Sequence, residues 1–111
     1  MTRGAKPITS SAFLILLALF DEDRHGLGIA DDIEERTDGA VHLGPGTLYN
    51  AIHKLLESGL IAKSSVRPAP HEDDPRRRYY RITPRGRKAV ENEAARLDVI
   101  LGAARAKAVL D

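Results

Sequence analysis

Between Pro45 and Gly59 the apolar positions fall into one stripe. Leu48, Ile52 and Leu55 repeat at intervals of four and three, with Ala51 and Leu56 beside them. Pro45 suits a first helical turn, where no intrahelical donor is needed, and Gly59 stands where a helix stop favours positive φ. The opposite face holds Gly46, Asn50, His53 and Glu57, with Thr47, Tyr49 and Lys54 at its margins. Small, amide, hydroxyl and imidazole groups with one lysine among them suit close approach to a polar surface such as a DNA groove. Leu60–Arg67 then reads as a strand, a loop with Pro68, Pro70 and Pro75 follows, and Arg78–Thr83 reads as a second strand. Helix, strand, polar loop and strand make a β-wing behind a recognition helix.

Upstream, Thr9, Ser10 and Ser11 offer hydroxyl caps to a first helix over about Ala12 to Phe20, nine consecutive apolar residues. A small domain cannot easily cover such a helix on every side, so the surplus implies a second buried face, most simply a subunit interface. His25-Gly26-Leu27-Gly28-Ile29 reads as a turn into a second helix, about Gly28 to Thr37. Leu27, Ile29, Ala30 and Ile33 face its core side, and Asp31, Asp32, Glu34, Glu35 and Arg36 face water. Asp38-Gly39 makes a turn and Val41 to Leu43 a short extended link. Thr83 caps and Pro84 opens a last helix of roughly 27 residues, in which Val90, Ala94, Leu97, Leu101, Ala104 and Ala108 form a heptad seam with small residues. Pairing this seam with the first helix of a second copy would bury both surpluses. Phe13, Leu16, Leu17 and Phe20 are the expected contacts on the first helix.

The predicted architecture is therefore mainly α with a small β-wing. A winged helix-turn-helix covers residues 1–83, and a dimerisation helix covers residues 84–111. Alternation in the second wing strand sets Arg78, Tyr80 and Ile82 on one side and Arg77, Tyr79 and Arg81 on the other. Ile82 belongs to the core; the pattern leaves open which tyrosine joins it.

Charge sharpens the picture. The 111 residues carry a net +1, but residues 1–53 sum to −4, residues 54–88 to +6 and residues 89–111 to −1. The basic excess lies on the recognition helix, the wing and the turn after it, where phosphates would lie. Met1 to Pro7 reads as a tail that can also serve as a basic arm. The acids Glu72, Asp73 and Asp74 in the wing loop either pair with Arg76, Arg77 and Arg78 off DNA or keep the loop tip solvated; solvation is the favoured reading.

Other chemistries find little support. There is no cysteine, hence no disulfide, thiolate or cysteine-zinc chemistry. His25, His42, His53 and His71 are scattered and lack the two-histidine helical spacing of zinc hydrolases. No Gly-rich phosphate loop or serine–histidine constellation appears, so neither an enzyme nor a cofactor or metal is expected. Ala12–Phe20 is too short to span a membrane, and Asp21-Glu22-Asp23-Arg24 follows it without a small-x-small cleavage pattern. An untargeted, cytoplasmic protein without a membrane partner is the expectation.

The assembled residues resemble the PadR family of bacterial winged-helix transcriptional regulators. The resemblance lies in His25-Gly26, in Gly46-Thr47-Leu48-Tyr49 followed by Leu55 and Gly59-Leu60-Ile61, and in Arg78-Tyr79-Tyr80-Arg81-Ile82-Thr83-Pro84-x-Gly86. These stand in the family's order and spacing over about residues 13–90. The single short C-terminal helix resembles the small-subunit branch, in which dimers form through the first and last helices. The resemblance implies a homodimeric repressor on an inverted-repeat operator in double-stranded DNA, released by a small-molecule effector. It sets Thr47, Tyr49 and Asn50 at the DNA-facing start of the recognition helix, with Lys54 and the wing arginines on phosphate. With the helix face above, the candidate DNA contacts are Gly46, Thr47, Tyr49, Asn50, His53, Lys54, Lys63, Arg76, Arg77 and Arg78. Three departures stand out: Leu27 replaces a common tyrosine, Gly44 replaces a common serine-type cap, and no tryptophan is present to flank a drug pore. The rival reading is a winged helix that binds protein rather than DNA, since a fold alone does not fix function.

Overall fold

Thr9 starts the chain's first helix, its hydroxyl oxygen accepting the Ala12 N–H at 3.1 Å. The computed structural model describes residues 7–65 and 77–111. Its elements run α1 (Ser10–Leu19), β1 (Arg24–His25), α2 (Gly26–Arg36), α3 (Pro45–Glu57), β2 (Ile61–Lys63), β3 (Tyr79–Ile82) and α4 (Pro84–Ala106). The architecture is mainly helical with a small antiparallel sheet, as the hydrophobic pattern predicts.

The all-apolar α1 is the centre of the fold. Ile15, Leu16, Ala18 and Leu19 are buried, and α2, α3, α4 and β3 surround the helix. This corrects the expectation for Leu16, which is spent on the protomer's own core and is not free to meet a second copy. Phe13, Leu17 and Phe20 are only partly buried. Each remaining helix adds core residues from one face: Ile29 and Ile33 from α2, Leu48, Ile52 and Leu55 from α3, and Val90 from α4. Val90 is thus also a core residue rather than a position open to a partner.

Arginines satisfy the end of α1. Arg24 Nε donates to the Ala18 carbonyl at 2.7 Å, and Arg87 donates to the Phe20 carbonyl at 2.9 Å with its guanidinium 4.6 Å from the Phe20 ring centre. Cations at a helix C-terminus complement its dipole as well as its unpaired carbonyls. Arg87, counted in the basic excess, is therefore engaged in structure.

The sheet has three strands in the order β1-β3-β2, one more than the two-stranded wing expected. Ile61 pairs with Ile82 and Lys63 with Tyr80, while Arg24 pairs with Tyr80 and His25 with Tyr79. β1 is two residues long, too short for any alternation to register in the sequence. Both wing tyrosines are buried: Tyr80 joins the core beside Ile82, and Tyr79 packs its ring edge-on to His25 at 5.3 Å. The extra strand explains this, since β1 covers a sheet edge that a plain two-stranded wing would leave open.

Thr83 joins sheet to α4. Its N–H donates to the Leu60 carbonyl at 3.1 Å, its hydroxyl donates to the Gly59 carbonyl at 2.7 Å, and that same oxygen accepts the Gly86 N–H at 3.1 Å. Further along α4, the side chain of Glu93 is enclosed, with 5% of the residue exposed. It accepts the Ile8 N–H at 3.4 Å and pairs with Arg96, whose guanidinium holds the carboxyl below its ordinary pKa. Beyond Glu93 the helix leaves the domain: Val99, Ile100 and Leu101 are exposed, Leu101 at 41%. The helix ends at Ala106, short of the expected length, because Ala108 turns to φ 60° and the Val109 N–H closes back on the Ala104 carbonyl at 2.9 Å. Ala108, expected as the last seam position, is a helix stop instead.

Candidate nucleic-acid interface

Burying Leu48, Ile52 and Leu55 fixes which side of α3 faces out. Gly46, Thr47, Tyr49, Asn50, His53 and Lys54 are all exposed on that outer side, so the structure brings six of the ten candidate residues together on one helix. Gly44 provides no side-chain cap, and Pro45 occupies the first turn. The first-turn amides are consequently left uncovered by any side chain at the cap, as suits approach to an anion. At the other end Ser58 folds its hydroxyl onto the Lys54 carbonyl at 3.0 Å, and Gly59, at φ 76°, reverses the chain into β2. His53 pairs with Glu57 at 3.1 Å along the outer face.

A groove separates α3 from the start of α1, and Ser11, Thr47, Asn50, Lys54 and Ser58 line it among its polar residues. Hydroxyl, amide and ammonium groups on facing walls can donate hydrogen bonds to phosphate or to base edges. Ser11 was legible only as a helix cap, and its place opposite Asn50 depends on how α1 crosses α3.

Of the wing candidates, Lys63 and Arg78 are exposed near the sheet's free end, and Arg77 is exposed beside α2. Arg76 and the loop from Pro68 to Pro75 lie outside the described residues, as does most of the N-terminal arm. Just past β2, Ser64 donates a hydrogen bond to Asp23, the residue before β1.

His25 has a role the sequence did not disclose. Its Nδ1 accepts the Gly28 N–H at 3.1 Å, which makes it the cap of α2. A neutral imidazole has one acceptor nitrogen, so the ring either caps α2 through Nδ1 or accepts from Arg77 at Nε2, and not both at once. The Arg77 guanidinium sits 3.3 Å from that atom. Burial lowers the His25 pKa, and the Arg77 charge lowers it further, against an opposing pull from Asp31. Near this cluster, Tyr49 lies close enough to Tyr80 that, after burial, it is the second influence raising the Tyr80 hydroxyl above its ordinary pKa.

The remaining outer surface has a different character. Asp31, Glu34, Glu35 and Asp38 line an open, acidic face of α2, where Glu34 pairs with His42 at 3.1 Å. Such a face disfavours the approach of phosphate. Among the described residues no group of three or more His, Asp or Glu side chains is arranged to hold a metal ion. No helix among them is long and apolar enough to cross a membrane.

Comparison with known proteins agrees with this geometry. A Streptomyces fradiae protein, known as an uncharacterised 37.1 kDa protein in transposon TN4556, is 41% identical over 81 residues, which are 73% of this chain and 21% of that protein. An uncharacterised protein X of Lysinibacillus sphaericus is 31% identical over 74 residues, 67% of this chain and 65% of its own. The chain thus spans about a fifth of the first relative and just under two-thirds of the second. Among solved structures, a transcriptional regulator from Clostridium thermocellum superposes with a TM-score of 0.68 at 26% identity, covering 85% of this chain and 88% of the other. RosR of H. salinarum gives 0.65 at 27% identity, covering 96% and 99%. A PadR family transcription regulator from Clostridium difficile shares the fold with a TM-score of 0.72 at 24% identity, covering 87% and 96%. Residues 15–92, from the middle of α1 into α4, match the transcriptional regulator PadR-like family as a whole, and the chain belongs to that family.

Proposed function

We propose that this regulator is a homodimeric repressor that binds an inverted-repeat operator in double-stranded DNA. The observation that carries the reading is the division of α3: Leu48, Ile52 and Leu55 are buried, while Thr47, Asn50, His53 and Lys54 stand together on the exposed side. That side presents hydrogen-bonding groups suited to base edges, with Lys63 and Arg78 outward on the wing for flanking phosphates.

Dimerisation is supported by the free half of α4. Leu97 and Ala104 are partly covered and Ala94 and Leu101 exposed, with Val99 and Ile100 exposed nearby, so an apolar surface projects from the domain without a partner among the described residues of the protomer. Phe13, Leu17 and Phe20 of α1 supply a second partly buried surface. Two copies joined through these helices would hold their α3 helices about 34 Å apart, the spacing of successive major grooves on one DNA face. A small-molecule effector, or any shift of α4, would release DNA by altering that spacing. The protein would act in the cytoplasm.

One substitution tests the assignment of roles on α3. Asn50→Ala should weaken operator binding by about 1–3 kcal/mol while leaving binding to scrambled DNA nearly unchanged, as expected for a residue that contacts a base. Equal losses on both DNAs would assign Asn50 to the backbone or to the fold.

A further inference from the structure

We propose that Gly26, a buried residue at the start of α2, is a positioning residue for DNA recognition, because it forms the seat that fixes the Tyr49 ring of the recognition helix. The inference rests on the reading of α3 as the DNA-binding helix. A Cβ at Gly26 would stand 2.4 Å from the Tyr49 hydroxyl oxygen, 2.7 Å from Cζ and 2.9 Å from Cε1. All three distances are shorter than real Cβ atoms show, so the far end of the tyrosine ring lies directly on the backbone where a side chain would be. Gly26 is not in the left-handed region of φ, so its lack of a side chain answers to this neighbour and not to a turn.

The seat itself is held from behind. The His25 ring caps α2 through the Gly28 N–H and meets Tyr79 of β3 edge-on. Gly26 therefore sits at a point fixed by both the sheet and α2. Tyr49 retains 50% exposure, so its ring touches the seat and still keeps about half of its surface open. An aromatic ring braced in this way loses little freedom on binding, which is the condition under which a contact adds most to affinity. A ring displaced from the seat would keep its chemistry and lose its place.

The test uses the full chain with three variants: Gly26→Ala, Tyr49→Ala and the double variant. Each is titrated into a duplex from the region upstream of the protein's own gene and into a scrambled duplex, with thermal unfolding in parallel. Gly26→Ala should fold like wild type, since Tyr49 is half exposed and can swing clear. It should lose roughly tenfold or more in operator affinity, as Tyr49→Ala should. The double variant should bind no worse than either single. Wild-type binding by Gly26→Ala, or losses that multiply in the double variant, would overturn the proposal. If Gly26→Ala fails to fold, the double variant decides. Recovery to the melting temperature of Tyr49→Ala supports the seat, and failure to recover shows that Gly26 is required for another reason. Wild-type protein that binds neither duplex at low salt would remove the DNA reading of α3, and this inference with it.

Discussion

Replacing Gly86 with alanine adds one methyl group where α4 starts against the sheet. The new Cβ would stand 2.1 Å from the Leu60 carbonyl oxygen, 3.1 Å from the Leu60 carbonyl carbon and 2.8 Å from Ile82 Cγ1. Two of the three are rigid backbone atoms, so α4 must retreat by roughly 1 Å to restore van der Waals separation. That retreat pulls on the Thr83 N–H bond to the same Leu60 carbonyl, 3.1 Å long, and on the Thr83 hydroxyl bond to Gly59. Overpacking costs about 1–3 kcal/mol and a weakened hydrogen bond about 1 kcal/mol. Against this, alanine is better than glycine in a helix by up to about 1 kcal/mol. The net expectation is a loss of about 1–3 kcal/mol, a large part of a small domain's stability. Urea unfolding followed by far-ultraviolet circular dichroism, at equal protein concentrations, should show a midpoint lowered by about 1 M. Gly46→Ala is the control: Gly46 also sits in the first turn of a helix opened by a proline, and a Cβ there meets nothing within 4 Å. It should leave stability unchanged or raise it by up to about 1 kcal/mol. A Gly86→Ala midpoint at or above wild type would refute the reasoning.

Other perturbations reach different parts of the structure. The folded-state pKa of His25 is lowered, so protonation favours the unfolded chain; stability should be full above the unfolded value near 6.5 and fall as pH drops through it. His25→Asn, a residue that also caps helices, should retain neutral-pH stability and flatten that decline in melting curves taken between pH 5 and pH 8. Glu93 has the opposite arrangement: its depressed pKa adds stability above the unfolded carboxylate value, which disappears as pH falls through the folded one. Glu93→Gln should therefore lower stability at neutral pH and make the acid limb shallower. Ala108→Gly should stabilise the end of α4 by about 1 kcal/mol, because alanine at φ 60° is strained and glycine is not; a lowered melting temperature would contradict this. Removing the positive charges of Lys54 and Arg78 should weaken binding to every DNA sequence. It should also flatten the slope of log affinity against log salt by about 0.9 for each phosphate no longer neutralised.

How much of this was legible depended on how local the cause was. The α3 face followed from Leu48, Ile52 and Leu55, because a single helix's periodicity determines its buried side. Thr83, Pro84 and Gly86 announced the start of α4, although only the fold shows that Gly86 avoids Leu60 rather than relaxing a turn. Leu16 was assigned to an interface because apolar content does not reveal how many neighbours a helix has; with α2, α3, α4 and β3 around it, Leu16 is buried within the protomer. β1 escaped notice because its two residues gain strand character only from pairing with Tyr79 and Tyr80. The seat of Tyr49 on Gly26 joins residues far apart in sequence, and nothing local to either predicts it. The His25-Gly26 and Gly-Thr-Leu-Tyr segments carried the family resemblance, and the fold gives a physical reason for the pair: each supplies half of one contact.

The most direct test of sequence-specific DNA binding is a titration of the purified protein into labelled DNA from upstream of its own gene. Scrambled DNA of equal length is run beside it, at two salt concentrations. The α3 face, the outward wing cations and the uncovered half of α4 predict tight binding to the upstream duplex alone, saturating at two chains per site and weakening with salt. Absence of binding to either duplex at low salt would contradict the account and turn α3 into a surface for protein.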